Sequence, residues 1–438
     1  MSSRPPLRPL DEALAELLGQ ARPLEGEERV ATFDADGRVL AQDLVSALQV
    51  PPQDNSSMDG YAVRRSEIPD EGVVLPVSQR IAAGHAAQPL QPGTVARIFT
   101  GAPVPEGADA IVMQEYAEPV GDSSVRIQTV PGPGQWIRRA GEDVTRGAVI
   151  LQRGHRLDPA ACGLAAGIGS DTVPVARRPK VALFSTGDEL VMPGTVPPER
   201  MPPGAIYNSN RFFLRQLLAR CGCEVGDLGI VPDDRQATID ALRTAARYHD
   251  VILTSGGVSV GEEDHIKPAV QQLGSLDLWQ IAMKPGKPFA FGSIARRSNL
   301  RDAPDVGTPS PTVPRQAGEG FTPEAADCFF IGLPGNPVSS FITFLLLVRP
   351  FLLKLQGAIR LAPAVLSLRA DFDWKADKRR EFLRVRRNGE GGLELFPNQS
   401  SGVLTSTVWC DGFVDNPANQ SIARGDTVRF LPLAELLA

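Results

Sequence analysis

The chain has 438 residues, of which 42% are hydrophobic and 22% are charged, and its formal net charge is −6. This length is too great for one ordinary domain, and the composition is typical of a globular protein. The negative charge, without a long basic run, argues against nucleic-acid binding as the main task. The longest apolar run, Phe341–Val348, is too short to span a bilayer. With no apolar secretory segment at the N-terminus and five scattered cysteines, we expect a cytoplasmic protein of several domains.

The first part of the chain predicts a helical frame that carries a β-rich insertion. The apolar spacing of Leu10–Ala21 predicts a helix, with Asp11 as its cap. Short β-type runs separated by Gly and Pro then follow, so residues 51–147 are assigned to an inserted β-rich domain. The small-residue run Asp158–Gly169 predicts a return to helix. Residues 1–50 and 148–178 therefore form the predicted frame.

Residues 179–358 predict an α/β core. Three apolar runs read as buried strands, and each ends in a glycine-containing loop: Lys180–Ser185, Val251–Leu253 and Phe329–Gly332. Apolar periodicity predicts helices at Asn208–Cys221, at Gln236–Tyr248 and at Pro337–Leu355, and a further helix near Asp264. Strands that alternate with helices are typical of a doubly wound sheet. Residues 298–325 lack apolar periodicity and predict a flexible loop, and residues 359–438 predict a small all-β domain or barrel.

The three glycine loops predict a binding site for an anion. Ligands of doubly wound sheets bind beyond the carboxyl ends of the strands, and free backbone N–H groups in glycine loops favour anions. Lys284 and Lys287, in the sequence MKPGKP, add two cations beside prolines. The candidate binding residues of the loops are Thr186, Gly187, Ser255, Gly256, Gly257, Ser259, Gly261, Pro334, Gly335 and Asn336.

Nine short sequences in this order resemble the molybdopterin molybdenumtransferase family, which includes the E domain of gephyrin. They are SMDGYA, IFTGAPVPEGADAIV, RRAGED, STGDEL, YNSN, PDD, TSGGVSVGEEDH, AMKPGKP and GLPGNPVS. The resemblance implies a helical frame, the β-rich insertion, a doubly wound α/β core of the molybdopterin-binding type and a C-terminal β-barrel. It also implies a homodimer, in which the core of one subunit and the β-rich domain of the other line each active cleft.

The resemblance implies the insertion of molybdate into adenylated molybdopterin, with Mg²⁺ and with release of AMP. The implied catalytic residues are Asp59, Asp143, Glu189, Asp264, Lys284 and Lys287. Asp234 and Asp264 are the implied magnesium ligands, and Thr100, Arg384 and Ser401 are implied substrate contacts. The adenylyltransferase of the preceding step is a further implied partner, whereas neither a nucleic acid nor a membrane is expected.

Several alternatives remain open at this level. Lys284 and Lys287 could instead be solvated surface cations, and Asp264 could instead cap a helix. For the whole chain, the alternative activity is that of a molybdopterin adenylyltransferase, because the α/β core resembles that enzyme as well. A non-catalytic scaffold is the alternative from another functional class.

Overall fold

The computed structural model of the protein describes residues 7–257, 265–296 and 327–437. Three candidate residues, Ser259, Gly261 and Asp264, lie outside these ranges, as does the loop predicted at 298–325. Their assignments therefore remain predictions.

The N-terminal part contains a frame and a β-rich sheet. Its elements are α1 (Leu10–Gln20), β1 (Glu27–Ala31), β2 (Leu44–Val45), β3 (Asn55–Ser56), β4 (Gly60–Val63), β5 (Val73–Ile81), β6 (Val95–Ile98), β7 (Ala110–Met113), β8 (Ala117–Val120), β9 (Ser124–Ile127), β10 (Ile137–Arg138), β11 (Val149–Leu151), α2 (Pro159–Gly167) and β12 (Thr172–Ala176). The chain leaves the frame and returns to it, because β1 pairs with β12 and β2 pairs with β11. Between them, a six-stranded sheet has the order β7-β4-β6-β5-β9-β8.

The α/β core holds a second six-stranded sheet. Its elements are β13 (Lys180–Thr186), β14 (Leu190–Val191), β15 (Ile206–Tyr207), α3 (Ser209–Arg220), β16 (Glu224–Val231), α4 (Arg235–Tyr248), β17 (Val251–Ser255), α5 (Ile266–Leu273), β18 (Gly274–Gln280), β19 (Met283–Lys284), β20 (Pro288–Ile294), β21 (Cys328–Leu333), α6 (Pro337–Thr343) and α7 (Arg349–Leu355). The sheet order is β16-β13-β17-β21-β20-β18, and its first four strands are parallel.

Both faces of this sheet are buried, as expected for parallel strands covered by helices. Along β13, Val181 and Leu183 pack into one apolar cluster, whereas Ala182 and Phe184 pack into the cluster on the opposite face. The first cluster also contains Leu17 of α1 and residues of the C-terminal part, so one core joins three parts of the chain.

The apolar helix after β21 runs from Pro337 to Leu355. Between α6 and α7 it contains one π-helical turn, Phe344–Val348. Of the helices in the described ranges, this one is long and apolar enough to cross a membrane, but 89% of its apolar window is buried inside the protein. Burial at that level is the pattern of a core helix.

The C-terminal part is a closed five-stranded barrel. Its elements are β22 (Leu366–Ala370), β23 (Arg380–Arg387), β24 (Gly392–Leu395), α8 (Thr405–Trp409), β25 (Gly412–Asn416), β26 (Thr427–Pro432) and α9 (Leu433–Leu437). The order β23-β24-β22-β26-β25 closes because β25 also pairs with β23. Strand β19 of the core pairs with β23 and joins the barrel to the core.

These elements confirm the predicted fold class, with two local corrections. Asp11 is not the cap of α1: Pro9 occupies that position, and the Asp11 carboxylate accepts hydrogen bonds from Arg380 at 2.8 and 3.0 Å. The strand–helix alternation also does not continue to α6. Instead, β18 and β20 form an antiparallel hairpin at one edge of the sheet.

Candidate active site

The predicted glycine loops all leave the same edge of the core sheet. In the parallel register, Thr186 of β13 lies opposite Val231 of β16, and Ser185 lies opposite Ser255 of β17. Ser255 in turn lies opposite Leu333 of β21. The carboxyl ends of four strands are therefore level with one another, which is where doubly wound sheets bind ligands.

A cleft of about 710 Å³ opens at this edge. Eight of the predicted site residues line it: Thr186, Glu189, Ser255, Gly256, Gly257, Pro334, Gly335 and Asn336. The other polar wall was not predicted as part of the site; it is formed by Tyr207, Asn208, Ser209, Asn210, Ser339 and Gly402. The volume lies within the range of small-molecule sites, about 300–1,000 Å³.

The loop after β17 needs glycine on steric grounds. Gly256 and Gly257 have φ angles of +93° and +64°, which L side chains rarely adopt. A Cβ on Gly257 would lie 2.4 Å from Ile266 Cδ1 and 3.0 Å from Thr186 Oγ1. The loop is thus pressed between β13 and α5, with its backbone turned to the cleft.

Asn210 ties two of the loops together. Its side chain is buried and donates to Ser255 Oγ at 3.0 Å and to Gly335 O at 2.7 Å. The neighbouring Asn208 caps α3, because its Oδ1 accepts from Arg211 N at 3.2 Å. The helix predicted from Asn208 begins at this position, but Asn210 had no predicted role. In the sequence, the signal for this role was the pair Asn208 and Asn210, which come directly after a strand.

Glu189 provides the carboxylate of the described cleft wall. Its Oε2 lies only 2.4 Å from the position that a Cβ of Gly187 would take, so a side chain at residue 187 would displace this carboxylate. Asp234 follows the neighbouring strand and caps α4 by accepting from Ala237 N at 2.8 Å. Within the described ranges, no partner contacts its second carboxylate oxygen.

The candidates of the β-rich domain do not line this cleft. Asp59 Oδ1 accepts from both the backbone N and the hydroxyl of Thr100, each at 2.8 Å. These two bonds, together with the charge of Arg97, lower the pKa of Asp59 from its usual value. Asp143 is exposed, and its backbone N donates to Val50 O. Asp59 is half-buried and Asp143 is exposed, and neither lines the cleft of its own chain.

The two lysines differ in their surroundings. Lys284 Nζ lies 3.0 Å from Glu381 Oε1 and 3.1 Å from Asp377 Oδ2, both on the barrel side. Lys287 directly precedes Pro288, which lines the cleft, and the described residues place no carboxylate within ion-pair distance of it. Among the residues that the structure describes, Lys284 is therefore paired with carboxylates and Lys287 is not.

Arg384 lies behind the cleft wall. It is 1% exposed and donates to Ser406 Oγ at 3.2 Å and to Ser400 O at 3.2 Å. Burial lowers its pKa to about 10, and no described carboxylate pairs with it. The carbonyl of Ser401 accepts from Val338 N at 3.0 Å, and the next residue, Gly402, lines the cleft. Arg384 therefore supports the loop that carries Ser401.

The described residues fit a magnesium ion only if the bound substrate supplies part of its coordination. Within the described ranges, no group of three His, Cys, Asp or Glu side chains is arranged to hold a metal. Mg²⁺ usually binds one or two carboxylates together with phosphate oxygens and water. The open oxygen of Asp234 at the sheet edge is compatible with such a site.

Three family profiles match the chain in succession. They are the MoeA N-terminal region (domain I and II) at residues 8–169, a probable molybdopterin binding domain at 182–354, and the MoeA C-terminal region (domain IV) at 367–433. A molybdopterin molybdenumtransferase of Haemophilus influenzae is 36% identical over 98% of this chain and 99% of its own length. The chain belongs to the molybdopterin molybdenumtransferase family.

Members of this family are transferases of molybdenum-cofactor biosynthesis, and the resemblance stated from the motifs is confirmed. Gephyrin of Dictyostelium discoideum is 32% identical over 80% of this chain, which spans half of gephyrin's length. The molybdopterin biosynthesis moeA protein of Pyrococcus horikoshii shares the fold, with a TM-score of 0.77 and 26% identity over 98% of this chain and all of its own. The molybdenumtransferase fold thus extends over nearly the whole chain.

Proposed function

We propose that this protein inserts molybdate into adenylated molybdopterin, with Mg²⁺-dependent release of AMP, and that it acts as a cytoplasmic homodimer. The observation that carries the proposal is the cleft at the carboxyl edge of the core sheet, where three glycine loops converge. Both substrates are anions. Backbone N–H groups in glycine loops favour such ligands without a counter-charge.

Three features of the cleft assist anion binding. The N-terminus of α3 reaches the wall at Ser209, and its helix dipole favours negative charge there. Lys287 supplies a cation beside Pro288. Asn210 fixes the loops of Ser255 and Gly335 relative to each other, so that the N–H groups need little rearrangement when the ligand binds.

Glu189, Asp59 and Asp143 are the proposed catalytic carboxylates. In this arrangement Glu189 acts from the cleft wall, whereas Asp59 and Asp143 reach the cleft from the β-rich domain of the second subunit. Thr100 holds one oxygen of Asp59, which keeps this group ionised and directs its other oxygen outward. Arg384 and Ser401 shape the barrel side of the molybdate position.

A magnesium ion would be held by Asp234 and Asp264 together with phosphate oxygens of the substrate. When bound, it would polarise the phosphoanhydride and stabilise the departing AMP. The protein's part is to fix the carboxylates. The cap that Asp234 provides to α4 holds one of its oxygens in place and leaves the other for the ion.

The measurement that tests this function is AMP release from adenylated molybdopterin, with and without molybdate. We expect molybdate-dependent release that Glu189→Gln reduces at least about tenfold, since a carboxylate acting in the transition state is lost. Asp188→Asn is the control, because this exposed neighbour does not line the cleft.

The same assay separates the alternatives. Pyrophosphate formation from ATP and molybdopterin, without molybdate-dependent AMP release, would assign the chain to the adenylyltransferase step. Relatives that match over the whole length, including the β-rich domain and the barrel, support the molybdenumtransferase instead. Absence of both activities in a correctly folded dimer would favour the scaffold.

A further inference from the structure

The segment that carries Lys284 is part of the barrel sheet as well as of the core. Strand β19 pairs in parallel with Arg380 and Glu381 of β23. One residue earlier, Ala282 O accepts from Arg380 N at 3.1 Å. The main chain thus fixes this segment to the barrel just before it reaches the cleft at Pro288.

The side chain of Lys284 strengthens the same connection. Its ammonium group lies between Glu381, at 3.0 Å, and Asp377, at 3.1 Å. Glu381 is 1% exposed, and its other oxygen accepts from Trp374 Nε1 at 2.7 Å. A carboxylate buried to this degree needs a cation, and Lys284 is the one within 4 Å of it in the described part of the chain.

The charge of Lys284 is therefore already compensated. Burial alone would lower the pKa of this lysine, but hydrogen bonds to Glu381 and Asp377 outweigh burial and raise it. An anion in the cleft would have to compete with two carboxylates for the same ammonium group. Lys284 also does not line the cleft.

Helix α6 holds the segment from the opposite side. Gly286 has a φ angle of +109°, and a Cβ there would lie 2.4 Å from Thr343 Oγ1 and 2.8 Å from Met283 Cε. The backbone at Gly286 is thus pressed against α6, while Lys284 binds the barrel. Two residues further on, Pro288 reaches the cleft in a position set by both contacts.

We propose that Lys284 is a positioning residue that ties residues 283–288 to the barrel through Glu381 and Asp377, and that it does not supply charge to the bound anion. This inference rests on the proposed function, because the anion concerned is molybdate. It assigns the positive charge at the cleft to Lys287. It also gives Glu381 and Trp374, which carry no role so far, a part in placing that charge.

The test compares Lys284→Met, Glu381→Gln and the double variant, with direct molybdate binding and thermal unfolding as readouts. Lys284→Met leaves the buried Glu381 without its cation, so we expect a lower melting temperature and at least about tenfold weaker molybdate binding. The double variant removes both charges together. We expect it to recover molybdate binding to within about threefold of the wild type, together with most of the melting temperature.

Lys287→Met provides the matched control. We expect it to weaken molybdate binding with little change in melting temperature, and adding Glu381→Gln should not restore the binding. If Lys284 itself supplies charge to molybdate, the Lys284→Met/Glu381→Gln variant will stay as weak as Lys284→Met, and that result overturns the inference alone. A wild-type protein that does not bind molybdate overturns both the inference and the proposed function.

Discussion

Asp250 is the residue that holds the edge of the core sheet opposite the cleft. Its carboxylate is 6% exposed and accepts from Arg177 at 2.7 and 3.0 Å, from Lys180 N at 2.9 Å and from Arg296 at 3.0 Å. Burial would raise the pKa of Asp250, but these bonds outweigh burial and lower the pKa below its usual value of 3.8. The ionised form is thus the one that stabilises the fold.

We therefore expect Asp250→Asn to lower the free energy of unfolding by about 3 kcal/mol, since two arginines lose their buried partner. Because the folded pKa is lowered, the stabilisation is present above the unfolded value of 3.8 and is lost as the pH falls through the folded pKa. Denaturant unfolding between pH 7 and pH 3 measures both effects. Asp240→Asn, which removes an exposed pair with Arg243, should change stability little. An equal loss in both variants would refute this account.

At the residue level, the sequence predicted the loops better than the charges. Thr186, Ser255 and Asn336 could be placed in the site because each lies at or just after the end of an apolar run that is evident in the sequence. The pairing of Lys284 with Glu381 could not be predicted, since the two residues lie 97 positions apart in the chain. Only the docking of β19 onto the barrel brings these residues together.

At the start of helix α4, Asp234 has two proposed tasks: it caps the helix, and it contributes to a magnesium site. Asp234 caps the helix through Ala237 N, and the same side chain is a proposed magnesium ligand. We expect Asp234→Ala to cost about 1 kcal/mol of stability, whereas Asp234→Asn should cost much less, because asparagine also caps helices. Both variants should lower the Mg²⁺ affinity in AMP release. If the magnesium dependence of Asp234→Asn is unchanged, Asp234 only caps α4 and does not bind the ion.

The contact between residues 283–288 and α6 makes a second prediction at the level of elements. Gly286→Ala combines a positive φ angle with a contact of 2.4 Å, so it should destabilise the protein more than Gly84→Ala does. Gly84 also has a positive φ, of +81°, but nothing within 4 Å, so its substitution tests a positive φ angle without a close contact. We expect the difference to be about 1–3 kcal/mol in denaturant unfolding. Equal losses would show that the contact with α6 relaxes freely.

Among the elements, periodicity predicted the parallel strands and most helices of the core. The hairpin of β18 and β20 was not predicted, because β18 follows a helix just as a parallel strand does, and apolar spacing does not show the direction of a strand. The Asp11 cap failed for a tertiary reason. Arg380 of the barrel pairs with this carboxylate, while Pro9 occupies the cap position of the helix.

At the scale of the whole molecule, the proposed dimer makes a complementation prediction. Asp59 and Glu189 lie in different parts of one chain, and only Glu189 lines the cleft described. If each site combines two subunits, Asp59→Asn and Glu189→Gln each impair both sites of their own homodimer. Their mixed dimers then contain one intact site, so dissociated and reassociated mixtures should recover roughly a quarter of the wild-type activity. No recovery despite confirmed subunit exchange would place both residues in the same subunit's site.

The central claim is that the cleft of three glycine loops transfers molybdenum to the pterin as AMP departs. The most direct measurement is the ratio of molybdenum bound to the pterin product to AMP released, in one incubation with adenylated molybdopterin, molybdate and Mg²⁺. The account predicts one molybdenum per AMP, with both falling together in Glu189→Gln. Release of AMP without molybdenum in the product would contradict it, because the cleft would then only hydrolyse its substrate.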